Sequence, residues 1–130
     1  MSSLLLAKYA GPKLKRSERG IFAALSAKVG SIEDNRLGGW YSYRASKAAA
    51  NMVLKNLSIE WQRTAPNIRV LALHPGTTDT NLSRPFQSRV KPEKLFSPEK
   101  VAELLLKQLD QSHANPSGRF IAYDGEELPW

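Results

Sequence analysis

The sequence predicts an α/β fold built on a parallel sheet, and three observations carry that expectation. Apolar runs of strand length alternate with longer segments of helical periodicity. Breaks rich in glycine, proline or Asx residues separate them. The resulting order of helix, strand, helix, strand, helix, strand joins successive strands through helices. Strands connected in this way lie parallel, with right-handed crossovers. A chain of 130 residues suits one compact domain with one core.

Each element has a local reason. The stretch LLLAKYA, within residues 3–10, reads as the last turns of a helix ending at Gly11-Pro12. RGIFAALSA, residues 19–27, is a nearly continuous apolar run of the kind that forms a strand buried on both faces. KVGSIEDNRLGGW, rich in glycine and Asx, reads as loop. From Tyr41 to Arg63 there is no glycine or proline, and Ala45, Ala48, Ala49, Met52, Val53, Leu57 and Trp61 recur at helical spacing. That pattern predicts a long helix, stopped at Pro66-Asn67. IRVLALHPG, residues 68–76, is a second buried strand closed by a Pro-Gly turn. Residues 77–96 form a long irregular stretch, and such loops in compact domains are often functional. Ser97 and Pro98 are cap and first residue of a helix running to about Gln111, with Val101, Leu104, Leu105 and Leu109 on its apolar face. Asn115-Pro116-Ser117-Gly118 then turns the chain into a last strand, RFIAYDG, in which Asp124-Gly125 reads as a turn.

Composition narrows the function classes. Hydrophobic residues make up 42% and charged residues 24%, ordinary values for a globular chain. With no cysteine, disulfides and thiolate chemistry are excluded, which fits a reducing compartment. The net charge of +7 comes largely from Lys8, Lys13, Lys15, Arg16 and Arg19, and from Arg84, Arg89, Lys91 and Lys94. A basic excess can attract polyanions. Pro12, Ser17 and Glu18 interrupt the first cluster, however, and no nucleic-acid-binding motif accompanies either, so solvated surface is the reading and no nucleic-acid partner is expected. MSSLLLA is too short for a secretory apolar segment and lacks a basic lead. No run approaches the ~20 apolar residues that span a bilayer. A soluble cytoplasmic protein without a metal site is expected.

The chemistry concentrates in GGWYSYRASKAAANM, residues 38–52. Tyr43 and Lys47 stand four residues apart, and on a helix that spacing shares one face. An ammonium held beside a phenol favours the phenolate and makes proton exchange with a carbonyl or alcohol oxygen feasible near neutral pH. Spacing alone favours the plainer reading, an exposed aromatic beside a solvated lysine. Context adds to it. SAKVGS, then Tyr43-Arg44-Ala45-Ser46-Lys47 with its alanine-rich tail, then IRVLALHPGTTDT, then FIAYDGEELPW resemble the short-chain dehydrogenase/reductase family, in particular its C-factor- and sniffer-like carbonyl-reductase branch. The resemblance covers nearly the whole chain.

That resemblance implies the C-terminal half of a doubly wound, Rossmann-like sheet, a cofactor of NADP or NAD, and a small carbonyl or alcohol substrate. Tyr43 would be the general acid/base, with Lys47 activating it and holding the nicotinamide ribose. Pro75, Gly76, Thr77, Thr78 and Thr80 would lie on the carboxamide and phosphate side of the cofactor. Read on their own, the threonines are ordinary turn residues, and His74 reads as packing. Two departures stand out. The family's usual catalytic serine falls on Ala27, leaving Ser31, in the loop, or Ser26, facing the other side of the strand, to supply the hydroxyl; Ser31 is favoured slightly. The glycine-rich phosphate loop of the first βα unit has no counterpart, and Met1 would fall within the helix preceding the serine strand. One partial domain spanning residues 1–130 is therefore expected. It would work with a cofactor-binding half, or serve as an interaction module that associates with itself or with an intact relative. Met52, Leu57 and Trp61 would form the seam unless they pack on the chain's own sheet.

Overall fold

The computed structural model describes residues 2–130; Met1, with its expected place in the first helix, lies outside the described residues. Three helices and a three-stranded parallel sheet carry the fold, as the alternation of patterns predicts. They are α1 (Ser2–Leu14), β1 (Gly20–Leu25), α2 (Tyr41–Thr64), β2 (Ile68–His74), α3 (Pro98–Gln111) and β5 (Arg119–Ala122). A two-residue ladder joins β3 (Thr77–Thr78) to β4 (Leu95–Phe96) within the long loop.

The sheet order is β1-β2-β5. Gly20 stands opposite Ile68 and Leu25 opposite Leu73, while Leu71 to His74 face Arg119 to Ala122. Central β2 is buried on both faces, which accounts for its unbroken apolar run. Its even-numbered side chains Ile68, Val70 and Ala72 join Phe22, Phe120 and Ala122 under α1 and α2. Leu71 and Leu73 turn the other way, onto Val101 and Leu105 of α3 with Ile121. Sequence alternation thus becomes two cores, one on each side of a single sheet.

Helix α2 covers the larger core with Asn51, Leu54, Leu57, Ser58 and Trp61, a stripe at three- and four-residue spacing. Trp61 meets Phe22 edge-to-face, ring centroids 5.5 Å apart. Leu57 and Trp61 therefore pack on the chain's own sheet, whereas Met52 stays exposed. Helix α3 begins as its sequence demands: Ser97 Oγ accepts the Lys100 backbone N–H at 3.2 Å, and Pro98 follows the cap.

Three expectations need correction. Gly11-Pro12 does not end α1, which continues to Leu14. A Cβ on Gly11 would lie 3.2 Å from the Trp61 ring, so the glycine marks a close approach of two helices rather than a stop. Strand β1 is not uniformly buried: Phe22 is covered, but Leu25 is 60% exposed. Among the described residues β1 pairs only with β2, so it is an edge strand. The last strand ends at Ala122, three residues early, because Ala122 to Glu126 form a turn in which Gly125 has φ +93°. No helix among the described residues is long and apolar enough to cross a membrane.

Candidate active site

The candidate residues gather at the carboxyl end of the sheet. The chain leaves β1 through Ser26 and a 3₁₀ turn at Lys28–Gly30, then enters α2 at Tyr41; it leaves β2 through Pro75-Gly76. In open parallel sheets, ligands bind in the crevice outside this end.

Tyr43 and Lys47 lie in the first two turns of α2. The Tyr43 ring is 43% exposed, and Lys47 Nζ stands over it, 5.8 Å from the centroid. At this position the ammonium meets the ring's electron-rich face. The base of Lys47 is set by Gly30, where an added Cβ would lie 2.7 Å from the lysine Cβ. Only glycine lets the turn after β1 rest so closely against α2.

The entry to α2 is unusual. Gly38, Gly39 and Trp40 have φ of +64°, +68° and +48°, and Trp40 makes no side-chain cap. A left-handed backbone at a bulky residue costs on the order of 1–2 kcal/mol. Arg44 holds this loop in place. Its Nε donates to the carbonyls of Gly38 and Gly39 at 3.2 and 3.1 Å, and its Nη1 to that of Val29 at 3.2 Å. Its guanidinium stands 5.8 Å from the Trp40 centroid. Trp40 also meets Phe86 of the 3₁₀ helix Arg84–Arg89, centroids 6.4 Å apart.

The two candidate serines are buried and occupied. Ser26 Oγ donates to Asn51 Oδ1 at 2.5 Å, on the core side of the strand. Ser31 Oγ donates to the Trp130 carbonyl at 3.3 Å and accepts the Asp34 N–H at 3.0 Å. Each hydroxyl has one proton to give, and both are given within the chain. Ala27 is the half-buried residue that starts the 3₁₀ turn.

On the β2 side, Gly76 has φ +72°, and a Cβ there would fall 2.9 Å from the Tyr123 ring. That ring also packs on Phe96 at 4.9 Å and accepts Lys94 Nζ at its hydroxyl, 3.2 Å away. The hydrogen bond to Tyr123, then its charge, raises the exposed Lys94 ammonium's pKa. Thr77 and Thr78 are half-buried in β3, and their hydroxyls make no hydrogen bond among the described residues. Thr80 is exposed and caps the next turn, its Oγ1 accepting the Ser83 N–H at 3.4 Å. His74 Nδ1 accepts the Lys28 backbone N–H at 3.2 Å, tying the ends of β1 and β2 together. Burial first, and then the Lys28 charge, lowers its pKa to about 4, against a weaker opposing pull from Asp124. It packs, as its sequence position suggests.

The structure thus brings Tyr43, Lys47, Pro75, Gly76, Thr77 and Thr78 to one end of the sheet and turns Ser26 and Ser31 to internal bonds. Sequence reasoning gave no role to Arg44, Trp40, Phe86 or Gly30. One usable signal was the Gly38-Gly39 pair just before a helix with an arginine in its first turn.

Comparison with known proteins agrees with this fold. The short chain dehydrogenase family model matches residues 1–91. A 1-hydroxy-2-glutathionyl-2-methyl-3-butene dehydrogenase of Rhodococcus sp. is 41% identical over 106 residues, covering 82% of this chain and 45% of the relative. C-signal of Myxococcus xanthus is 33% identical over 119 residues, 92% of this chain and 66% of the relative. Among solved structures, NADPH-bound carbonyl reductase from chicken fatty liver superposes with TM-score 0.83 at 27% identity, over 99% of this chain and 53% of that one. Carbonyl reductase Sniffer of D. melanogaster gives 0.79 at 28% identity, over 98% and 52%. The chain spans roughly half to two thirds of the length of these relatives. A parallel α/β sheet, a Tyr-x-x-x-Lys pair at its carboxyl end and a family match over most of the sequence place this chain in the short-chain dehydrogenase/reductase family.

Proposed function

We propose that these residues form the proton-transfer half of an NAD(P)-dependent oxidoreductase that reduces carbonyls or oxidises alcohols. The observation that carries the reading is Lys47 Nζ held over the Tyr43 ring at the open end of a parallel sheet. A free phenol hydroxyl is the group needed there.

In reduction, Tyr43 Oη donates its proton to the carbonyl oxygen; in alcohol oxidation it takes one back. Lys47 stabilises the phenolate left after donation and would hold the nicotinamide ribose when the cofactor binds. The nicotinamide, when bound, supplies or accepts the hydride at the substrate carbon. The residues present fit that end of the cofactor. Gly76 turns the chain against Tyr123, and beside it Thr77 and Thr78 carry hydroxyls with no partner among the described residues. The adenosine and pyrophosphate end calls for a helix N-terminus behind a glycine-rich turn. We assign that end to a cofactor-binding half outside these residues, which β1, as an edge strand, would adjoin. The NADPH bound to the chicken relative supports a nicotinamide cofactor and leaves NAD equally compatible.

Ser31 remains the better candidate to orient the substrate oxygen, since its donor bond of 3.3 Å is far longer than that of Ser26 at 2.5 Å. Thr80 would reach the cofactor only by releasing its turn.

A second reading is an interaction module that joins a second copy or an intact relative. The edge of β1 favours it, as do Leu4, Leu5, Leu6 and Tyr9, all exposed on α1. Titrating the purified chain with NADPH and NADH, followed by nucleotide fluorescence and thermal shift, separates the two. Saturable binding, with aldehyde turnover falling at least ~100-fold in Tyr43→Phe, supports the enzyme. A folded chain that binds neither nucleotide rules out a stand-alone enzyme and leaves a subunit that needs its cofactor-binding half, or the module.

A further inference from the structure

Building on the oxidoreductase reading, we infer that Trp40 and Phe86 form an aromatic clamp beside Tyr43. It selects carbonyl compounds or alcohols carrying a planar aromatic group over saturated ones of the same shape.

The two rings come from different connections that leave the carboxyl end of the sheet, one after β1 and one after β2, and they meet edge to face. Trp40 precedes Tyr43 by three residues, so the indole and the phenol start from adjacent turns of one helix entrance. Both clamp residues are more than half exposed, at 57% and 58%. Neither belongs to a core cluster. Such apolar surface gains most when a ligand covers it.

The backbone adds a second observation. Trp40 is the one non-glycine residue with positive φ among the described residues. A strained residue persists where its surroundings fix it, and such residues gather at ligand clamps. Arg44 supplies that fixing through its carbonyl contacts and its position over the indole. On the opposite wall, Ser83 Oγ donates to the Thr78 carbonyl at 2.5 Å, and Gln87 Nε2 to Asp79 and Ser83 at 2.9 Å. These bonds pin both ends of the turn that carries Phe86. At 71° between planes, the pair meets edge to face and leaves the outer faces of both rings toward solvent. A third aromatic ring can stack on one and meet the edge of the other, the geometry that aromatic quadrupoles favour; a saturated ring has no quadrupole to match.

The test uses the three indole N–H signals of the ¹⁵N-labelled chain, from Trp40, Trp61 and Trp130, with Trp40→Phe for assignment. Acetophenone and cyclohexyl methyl ketone, matched in shape, are titrated separately. The expected result is a saturable shift of Trp40 alone, with acetophenone binding about tenfold tighter. Phe86→Leu, at an exposed site, should weaken acetophenone several-fold without changing the melting temperature, and Tyr43→Phe should leave binding in place. An unmoved Trp40 signal, equal affinity for both ketones, or indifference to Phe86→Leu overturns the clamp. NADPH oxidation is followed in parallel. Binding at Trp40 without turnover keeps the clamp and removes only a stand-alone oxidoreductase; turnover without the Trp40 shift overturns the clamp and keeps the oxidoreductase reading.

Discussion

His74 couples two strand ends to pH through one acceptor nitrogen. Its Nδ1 takes the Lys28 N–H only while the ring is neutral, and burial keeps its pKa near 4 against 6.5 in a free chain. Between these values the unfolded chain binds more protons than the folded one, so stability falls as pH drops. The contribution is complete above pH 6.5 and erodes toward pH 4, by about 2–3 kcal/mol. Denaturant melts from pH 7.5 to 4.5 should show this slope, and His74→Gln should flatten it. The interior partnership of Ser26 and Asn51 gives a second prediction. Asn51 Nδ2 has no partner among the described residues, and Ser26→Ala would strip the Asn51 oxygen of its own as well. A loss of about 1–3 kcal/mol is expected by urea unfolding. Adding Asn51→Leu should recover part of it, since an apolar pair leaves nothing unpaired. The motif alone gave Tyr43 and Lys47. Whether a nearby serine had a free proton to donate was beyond its reach, because that depends on Asn51 and Trp130, residues 25 and 99 positions away.

Among elements, α2 is the one that both closes the core and carries the site. Its buried stripe fixes its rotation over the sheet, and that rotation turns Tyr43 outward. Gly30 then sets how close the turn after β1 comes to Lys47. Gly30→Ala would drive a methyl to within 2.7 Å of Lys47 Cβ and 2.9 Å of its backbone carbonyl carbon. We expect about 1–3 kcal/mol of destabilisation, together with weakened nucleotide binding if the proposed function holds. Thermal melts and a nucleotide titration check it. Ser97→Ala is a contrasting case at the same scale. It removes only the α3 cap, costs about 1 kcal/mol, and should leave ligand binding untouched. Helix periodicity made α2 and α3 legible almost to the residue. The end of α1 was misread because Gly11 and Pro12 look like a stop until the ring of Trp61 is seen against them.

For the molecule as a whole, the decisive feature is the open side of β1. An edge strand offers unpaired backbone groups to any extended chain. Leu25, exposed at its carboxyl end, adds apolar surface. Leu25→Lys should therefore reduce self-association in sedimentation velocity at raised protein concentration, with a change in monomer stability within about 0.5 kcal/mol, as for other exposed substitutions. An unchanged sedimentation profile would mean that association, if present, uses the α1 face instead.

The sequence by itself determined the α/β class, the strand and helix order, the parallel sheet and the four-residue spacing of Tyr43 and Lys47 on one helix. All of these follow from periodicity and short-range spacing, which act within one or two helical turns. The tertiary structure decided the rest: which face of each strand is covered, that β1 is an edge, that both serines are spent on internal bonds, and that Arg44 braces a left-handed Trp40 opposite Phe86. Those outcomes depend on groups far apart in the chain coming together at the carboxyl end of the sheet. No local pattern encodes that meeting; packing on both sides of β2 does.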